Sequence, residues 1–160
     1  MSNTPTENIM TRNPVTCSAD ESMNAVAQRM WEHDVGAIPV TDGAGRAIGM
    51  ITDRDITMAA YTQGVPLQHI EVRTGMSKNL WTVRPQAPLS EVERLMQQHQ
   101  VRRITVVDDG GRPVGMVSLN DLARRTGSSR NAAVTQDELT QTVRAVCQPR
   151  SSVMAAHAAQ

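Results

Sequence analysis

The sequence predicts a mixed α/β (α+β) fold of two pseudo-twofold-related β-α-β-β-α repeats packed through their sheets, and three observations predict it. The 160-residue chain matches itself without a gap when shifted by 66 positions, with Met10/Met76, Asn13/Asn79, Val26/Val92, Ile38/Ile104, Gly49/Gly115 and Asp55/Asp121 among the identical pairs. Within each copy, apolar residues switch from helical spacing to strand-like runs and back. A unit of about fifty residues buries too little surface to stand alone, so two copies pack face to face and leave a cleft with two equivalent halves.

The elements follow in order. An extended stretch at Pro14-Val15-Thr16-Cys17 leads to Asp20, a candidate cap for a helix whose Met23, Val26, Ala27 and Met30 share one face. In the second copy Pro88 opens the equivalent helix, carrying Leu89, Val92, Leu95 and Met96. Ala37-Ile38-Pro39-Val40 reads as a strand, Asp42-Gly43-Ala44-Gly45 as a turn and Ala47 to Ile51 as the returning strand. Ile104 to Val107, Asp109-Gly110-Gly111 and Pro113 to Val117 repeat that order. A last helix begins near Asp53 and near Leu119.

The domain reading is a tail over 1–8, a first repeat over 9–60, a linker over 61–74 and a second repeat over 75–125. Thr62-Gln63-Gly64-Val65-Pro66 supplies the breakers between repeats. Residues 126–160 hold a linker at Gly127 to Asn131, a short helix and a mobile tail from Arg150. Thr135 and Glu138 have capping-box spacing for that helix, and Pro149 ends it.

Lys plus Arg equals Asp plus Glu at 16 each, so no net charge draws the chain to nucleic acid or to an anionic membrane. No signal-peptide pattern opens the sequence, and no apolar run approaches the roughly 18 residues of a spanning helix. The chain is therefore expected in the cytoplasm. Cys17 and Cys147 have no metal-ligand or redox-motif spacing.

Candidate chemistry sits where the third strand of each repeat hands over to its helix. Gly49-Met50-Ile51-Thr52-Asp53-Arg54-Asp55 is matched by Gly115-Met116-Val117-Ser118-Leu119-Asn120-Asp121. Thr or Ser followed three residues later by Asp is first an N-capping box. The same segment also suits an anionic ligand, because unpaired N–H groups, a hydroxyl and Arg54 together make a phosphate seat. A carboxylate one turn in then accepts the hydroxyls of a ribose, and the glycine either admits close approach of a ligand to the backbone or marks a bulge.

Met10-Thr11-Arg12-Asn13-Pro14-Val15-Thr16, Val35-Gly36-Ala37-Ile38-Pro39-Val40 and Gly49 to Asp55, with Val101 to Asp108 and Gly115 to Asp121, give the chain a strong resemblance to a tandem pair of cystathionine-β-synthase (CBS) domains, the Bateman module. With Cys17 and the closing Ala145-Val146-Cys147-Gln148-Pro149 included, it also resembles the small stand-alone tandem CBS proteins of bacteria, some of them hypoxia-induced. The resemblance implies regulatory binding of an adenosyl ligand, AMP first and ADP, ATP, NAD or S-adenosylmethionine after it, with homodimerisation and an unknown protein target. Carried over by position, Thr52 and Ser118 meet phosphate or ribose, Asp55 and Asp121 the ribose hydroxyls, and Arg54 a phosphate. The backbone at Gly36, Ala37, Ile38, Pro39 and Ile104, with Thr16 and Thr82, frames adenine, while Arg102 and Arg103 enter a strand facing the cleft. Asn120 in place of Arg and Thr105 in place of Pro make the second half depart from the pattern.

Other residues carry plainer expectations. His33 and His99 are equivalent and meet near the axis or end exposed helices, and Trp31 and Trp81 are candidate interface anchors. No nucleophile has a base at a suggestive spacing, so the chain is read as no enzyme and as holding no metal. The alternative function is a ligand-free or redox-responsive protein that senses through Cys17.

Overall fold

A computed structural model of the chain describes residues 3–127 and 132–149. The expected mobile tail from Arg150 and most of the expected linker after Gly127 lie outside those residues. Repeat one runs through β2 (Cys17–Ser18), α1 (Met23–Glu32), β3 (Ala37–Thr41), β4 (Ala47–Thr52) and α2 (Asp53–Gln63), after a short leading strand β1 (Thr11–Arg12). Repeat two runs through β5 (Thr82–Val83), α3 (Leu89–His99), β6 (Arg103–Val107), β7 (Pro113–Ser118) and α4 (Leu119–Arg124). Two short strands, β8 (Thr126–Gly127) and β9 (Val134–Thr135), pair in parallel and lead into α5 (Gln136–Val146).

Each sheet is mixed: β3 runs antiparallel to β4 and parallel to β2, as β6 does to β7 and β5. One face of each repeat's first helix is buried on its sheet, through Met23, Val26 and Met30 of α1 and through Leu89, Val92 and Met96 of α3. Fully burying such side chains contributes about 1.5–3 kcal/mol apiece. They form two separate cores, one per repeat. The cap of α1 is Ser22 rather than Asp20: the Ser22 hydroxyl accepts from the Ala25 N–H at 3.3 Å. Gly64 ends α2 in the left-handed conformation at φ 65°. The capping box of Thr135 and Glu138 forms as its spacing predicts.

The repeats are tied together by exchange of their leading segments. Thr11 pairs with Met116 of β7, and its equivalent Ser77 exchanges two backbone hydrogen bonds with Met50 of β4, at 3.0 and 2.9 Å. The residues ahead of β1, read from sequence as a tail to residue 8, are docked on repeat two: Thr6 is buried, its N–H donates to the Ala87 carbonyl, and Ile9 and Met10 join the second core. Symmetrically, the Val72 N–H donates to the Glu21 carbonyl, and Ile70 and Val72 join the first core. The two hairpin turns also meet, through Ala47 N–H to the Gly111 carbonyl at 2.9 Å.

This exchange corrects the reading of the strand glycines. A Cβ on Gly49 would lie 2.5 Å from the Ser77 carbonyl oxygen, and one on Gly115 would collide with the Met10 side chain. It is the leading segment of the other repeat, not a ligand, that comes close to both.

The helix faces are unequal. α5 lies across α3, where Gln97 donates to the Thr142 hydroxyl at 2.9 Å. Gln97 is the equivalent of Trp31, which is 88% exposed on α1 with nothing over it. The face of α3 that corresponds to the exposed face of α1 is thus covered by the chain's own α5.

Candidate functional site

The strand register assembles one corner in each repeat. Ala37, the first residue of β3, pairs with Thr52, the last of β4, and the Asp53 N–H donates to the Gly36 carbonyl at 3.1 Å. This puts the start of β3 beside the first turn of α2. In repeat two Arg103 pairs with Ser118, and the Leu119 N–H donates to the Arg102 carbonyl at 3.1 Å.

Both handovers form complete capping boxes. The Thr52 hydroxyl accepts from the Asp55 N–H at 3.2 Å, while Asp55 Oδ2 accepts from the Thr52 N–H at 2.8 Å and from the Thr52 hydroxyl at 2.7 Å. Ser118 and Asp121 repeat this at 3.3, 2.8 and 2.6 Å. The difference lies in the second oxygen. Asp121 is buried and its Oδ1 is paired with the Arg124 guanidinium, so both of its oxygens are engaged. Asp55 is half-buried, and its Oδ1 has no hydrogen-bond partner among the described residues.

Charges crowd the corner of repeat one. Arg54 is exposed, and its N–H donates to Asp53 Oδ1 at 2.7 Å. A Cβ on Gly36 would stand 3.0 Å from Asp53 Oδ2 and 3.5 Å from Arg103 Nη2, so a guanidinium from repeat two reaches the corner of repeat one. Sequence reasoning left Arg102 and Arg103 open between the two halves and missed Asp53. The signal was there: Asp53 has Leu119 as its equivalent, and Gly36-Ala37 face Arg102-Arg103 across the duplication. Arg102 and Asn120 are exposed.

The remaining candidates sit farther into the fold or along the sheet. Ala37, Ile38, Pro39 and Ile104 are buried, backbone included, and of this segment Gly36 alone is partly exposed. The Thr16 carbonyl accepts from Arg29 at 3.1 Å, and Thr82 is exposed opposite Thr105. Thr105 Oγ1 is buried without a hydrogen-bond partner among the described residues, where repeat one has the ring of Pro39.

Cys17 does not suit a thiol sensor. It is 3% exposed in the first core, and burial above all, with the charge of Glu21, pushes its thiol up to about 12. The thiolate that oxidation or exchange requires is thus suppressed. His99 is not free to meet His33, because its ring stacks on Trp81 at 3.4 Å between centroids. Between α1 and α2 runs a groove of about 440 Å³, floored by Ala27, Met30 and Ile56 and edged by Trp31, Asp34 and Asp53. Among the described residues no helix is long and apolar enough to cross a membrane.

Comparison with known proteins agrees with this architecture. The CBS domain family model matches residues 7–61 and 70–127. Hypoxic response protein 1 of Mycobacterium tuberculosis is 33% identical over 136 residues, covering 84% of this chain and 89% of that protein. The CBS domain-containing protein YhcV of Bacillus subtilis is 39% identical over 123 residues, covering 77% and 86%. The solved CBS domain pair of protein MJ0100, in complex with 5′-methylthioadenosine and S-adenosylmethionine, superposes with a TM-score of 0.69 at 26% identity, covering 76% of this chain and 94% of that one.

Proposed function

The chain belongs to the CBS domain family, and from that premise we propose that it is a non-catalytic regulatory module whose ligand is an adenosyl nucleotide, AMP before ADP, ATP, NAD or S-adenosylmethionine. The seat is the corner of repeat one. Asp55 Oδ1 accepts from the ribose, the N-terminus of α2 and Thr52 face the phosphate side, and Arg54 with Arg103 supplies positive charge from both repeats. The backbone at Gly36 to Pro39, with Thr16, borders the base. Repeat two, with Thr82, Ile104, Ser118, Asn120 and Asp121, is the weaker seat, Arg102 standing exposed at its edge.

The observations that carry this reading are the Oδ1 of Asp55, without a hydrogen-bond partner among the described residues, and a guanidinium of the other repeat that reaches Gly36 at the same end of the sheet. A capping box alone needs neither. The adenosyl ligands held by the CBS pair of MJ0100 support the ligand class. Signalling then follows from geometry, since a ligand touching α2 and Arg103 together favours one arrangement of the repeats over another. The module is proposed to act as a homodimer through the bare α1–α2 face.

Titration calorimetry of the full chain with AMP, adenosine and S-adenosylmethionine tests the reading. Saturable binding of AMP that Asp55→Asn weakens supports it. Absence of heat with every adenosyl ligand would return Thr52 and Asp55 to a purely capping role.

A further inference from the structure

We propose that α5 is a proton-gated cover: Glu93, buried beneath it on α3, holds the helix down when neutral and loosens it when ionised. The geometry comes from the interface between the two helices. Glu93 is 5% exposed, and its Oε1 has no hydrogen-bond partner among the described residues. It lines a cavity of about 480 Å³ between α3 and α5, together with Glu91, Arg94 and Gln97 of its own helix and Glu138 and Gln141 of α5. A carboxyl group buried without a partner is tolerated as the neutral acid and penalised as the anion.

The fold does not demand a carboxyl there. The equivalent position in repeat one is Ala27, which lines the groove between α1 and α2, a face that no helix covers among the described residues. Among the described residues α5 is held by Val146 in the second core, Leu139 packed against it, the bond between Gln97 and Thr142, the Gln100 amide on the Ala145 and Gln148 carbonyls at 3.4 and 3.3 Å, and its packing on α4 and β8. An anion buried at the α3–α5 seam works against that docking.

The sign follows from the causes. Burial first, and the charge of Glu138 second, push the Glu93 carboxyl up from 4.5 to about 7. The covered state keeps its proton where an uncovered carboxyl has lost it. Docking of α5 is therefore strongest at low pH, weakens as pH rises between these two values, and is level above the higher one. Across roughly pH 6 to pH 8 the open population should rise about tenfold.

Hydrogen exchange of the full chain, corrected for the intrinsic pH dependence of amide exchange, reads this directly. The expected result is an opening equilibrium of the α5 amides about tenfold larger near pH 8 than near pH 6, with α1 unchanged and the α5 difference abolished in Glu93→Gln. Should the glutamine variant fold poorly, Glu93→Ala, which copies Ala27, serves the same comparison. A parent whose α5 protection is flat with pH, or a difference that survives in the neutral variants, overturns the proposal.

Discussion

Asp55 and Asp121 are equivalent through the duplication, yet Arg124 holds the second oxygen of Asp121 while that of Asp55 is open among the described residues. The cause is one position, because the residue that corresponds to Arg124 in repeat one is Met58, which is 46% exposed and brings no charge. An i,i+3 ion pair thus closes one carboxylate and leaves the other available.

Asp55→Asn should lower AMP affinity roughly 10- to 100-fold, since a charge-assisted hydrogen bond is worth about 1.5–3 kcal/mol. Met58→Arg should do much the same without touching Asp55, by supplying the guanidinium that occupies Asp121. Arg124→Met should bring the second seat closer to the first. Calorimetric titration of the three variants checks the set, and unchanged affinity in Met58→Arg would remove the role given to the open oxygen.

Arg54 and Arg103 should separate phosphate from nucleoside. Replacing either by Ala should weaken AMP by about tenfold, the weight of one partly screened charge-assisted contact, and leave adenosine nearly unchanged. The salt dependence of AMP binding should become shallower in both variants. Equal losses for AMP and adenosine would mean that the arginines support the corner rather than the ligand.

The strand glycines give a test that involves no ligand. Gly49→Ala places a methyl against the Ser77 backbone carbonyl, which cannot turn aside, whereas Gly115→Ala meets the flexible Met10 side chain. Overpacking costs about 1–3 kcal/mol, with Gly49→Ala toward the upper end. Met10→Ala should recover part of the loss in Gly115→Ala and none of that in Gly49→Ala. Denaturant midpoints of the single and double variants decide it; matching costs at both glycines would contradict the leading-segment explanation.

Much of this was legible because it is local. The capping boxes at Thr52, Ser118 and Thr135 are four-residue patterns, and the strands from Ala37 and Ala47 are marked by apolar runs around a glycine turn. What periodicity could not carry was the partner across the repeats. Thr6 looks like part of a polar lead-in until its pairing with Ala87 of repeat two is known, and the meaning of Gly49 depends on Ser77, far along the chain. The pairing of Asp121 with Arg124 was visible at helical spacing, but its consequence appears only when Asp55 and Met58 are set beside it. Likewise Glu93 falls on the apolar side of α3, and only α5 makes its burial chemically significant.

The bare helix face of repeat one leads to the last prediction. Trp31 is 88% exposed and Tyr61 81%, and along α2 Arg54, Met58 and Tyr61 follow one another at helical spacing, all exposed. The neighbouring groove carries Asp34 and Asp53, so a second copy turned about a twofold axis can set its Arg54 against these acids while the aromatics cover apolar surface. α5 withholds the equivalent face of repeat two, which confines the contact to repeat one. Light scattering after gel filtration should therefore give a dimer at about micromolar concentration, and Trp31→Ala should weaken it by about 2 kcal/mol, roughly thirtyfold, as loss of a large aromatic anchor does. Gln97→Ala, at the equivalent but covered position, should leave the mass unchanged. A monomer that persists with and without AMP, or a dimer indifferent to Trp31, would place the contact elsewhere on the molecule.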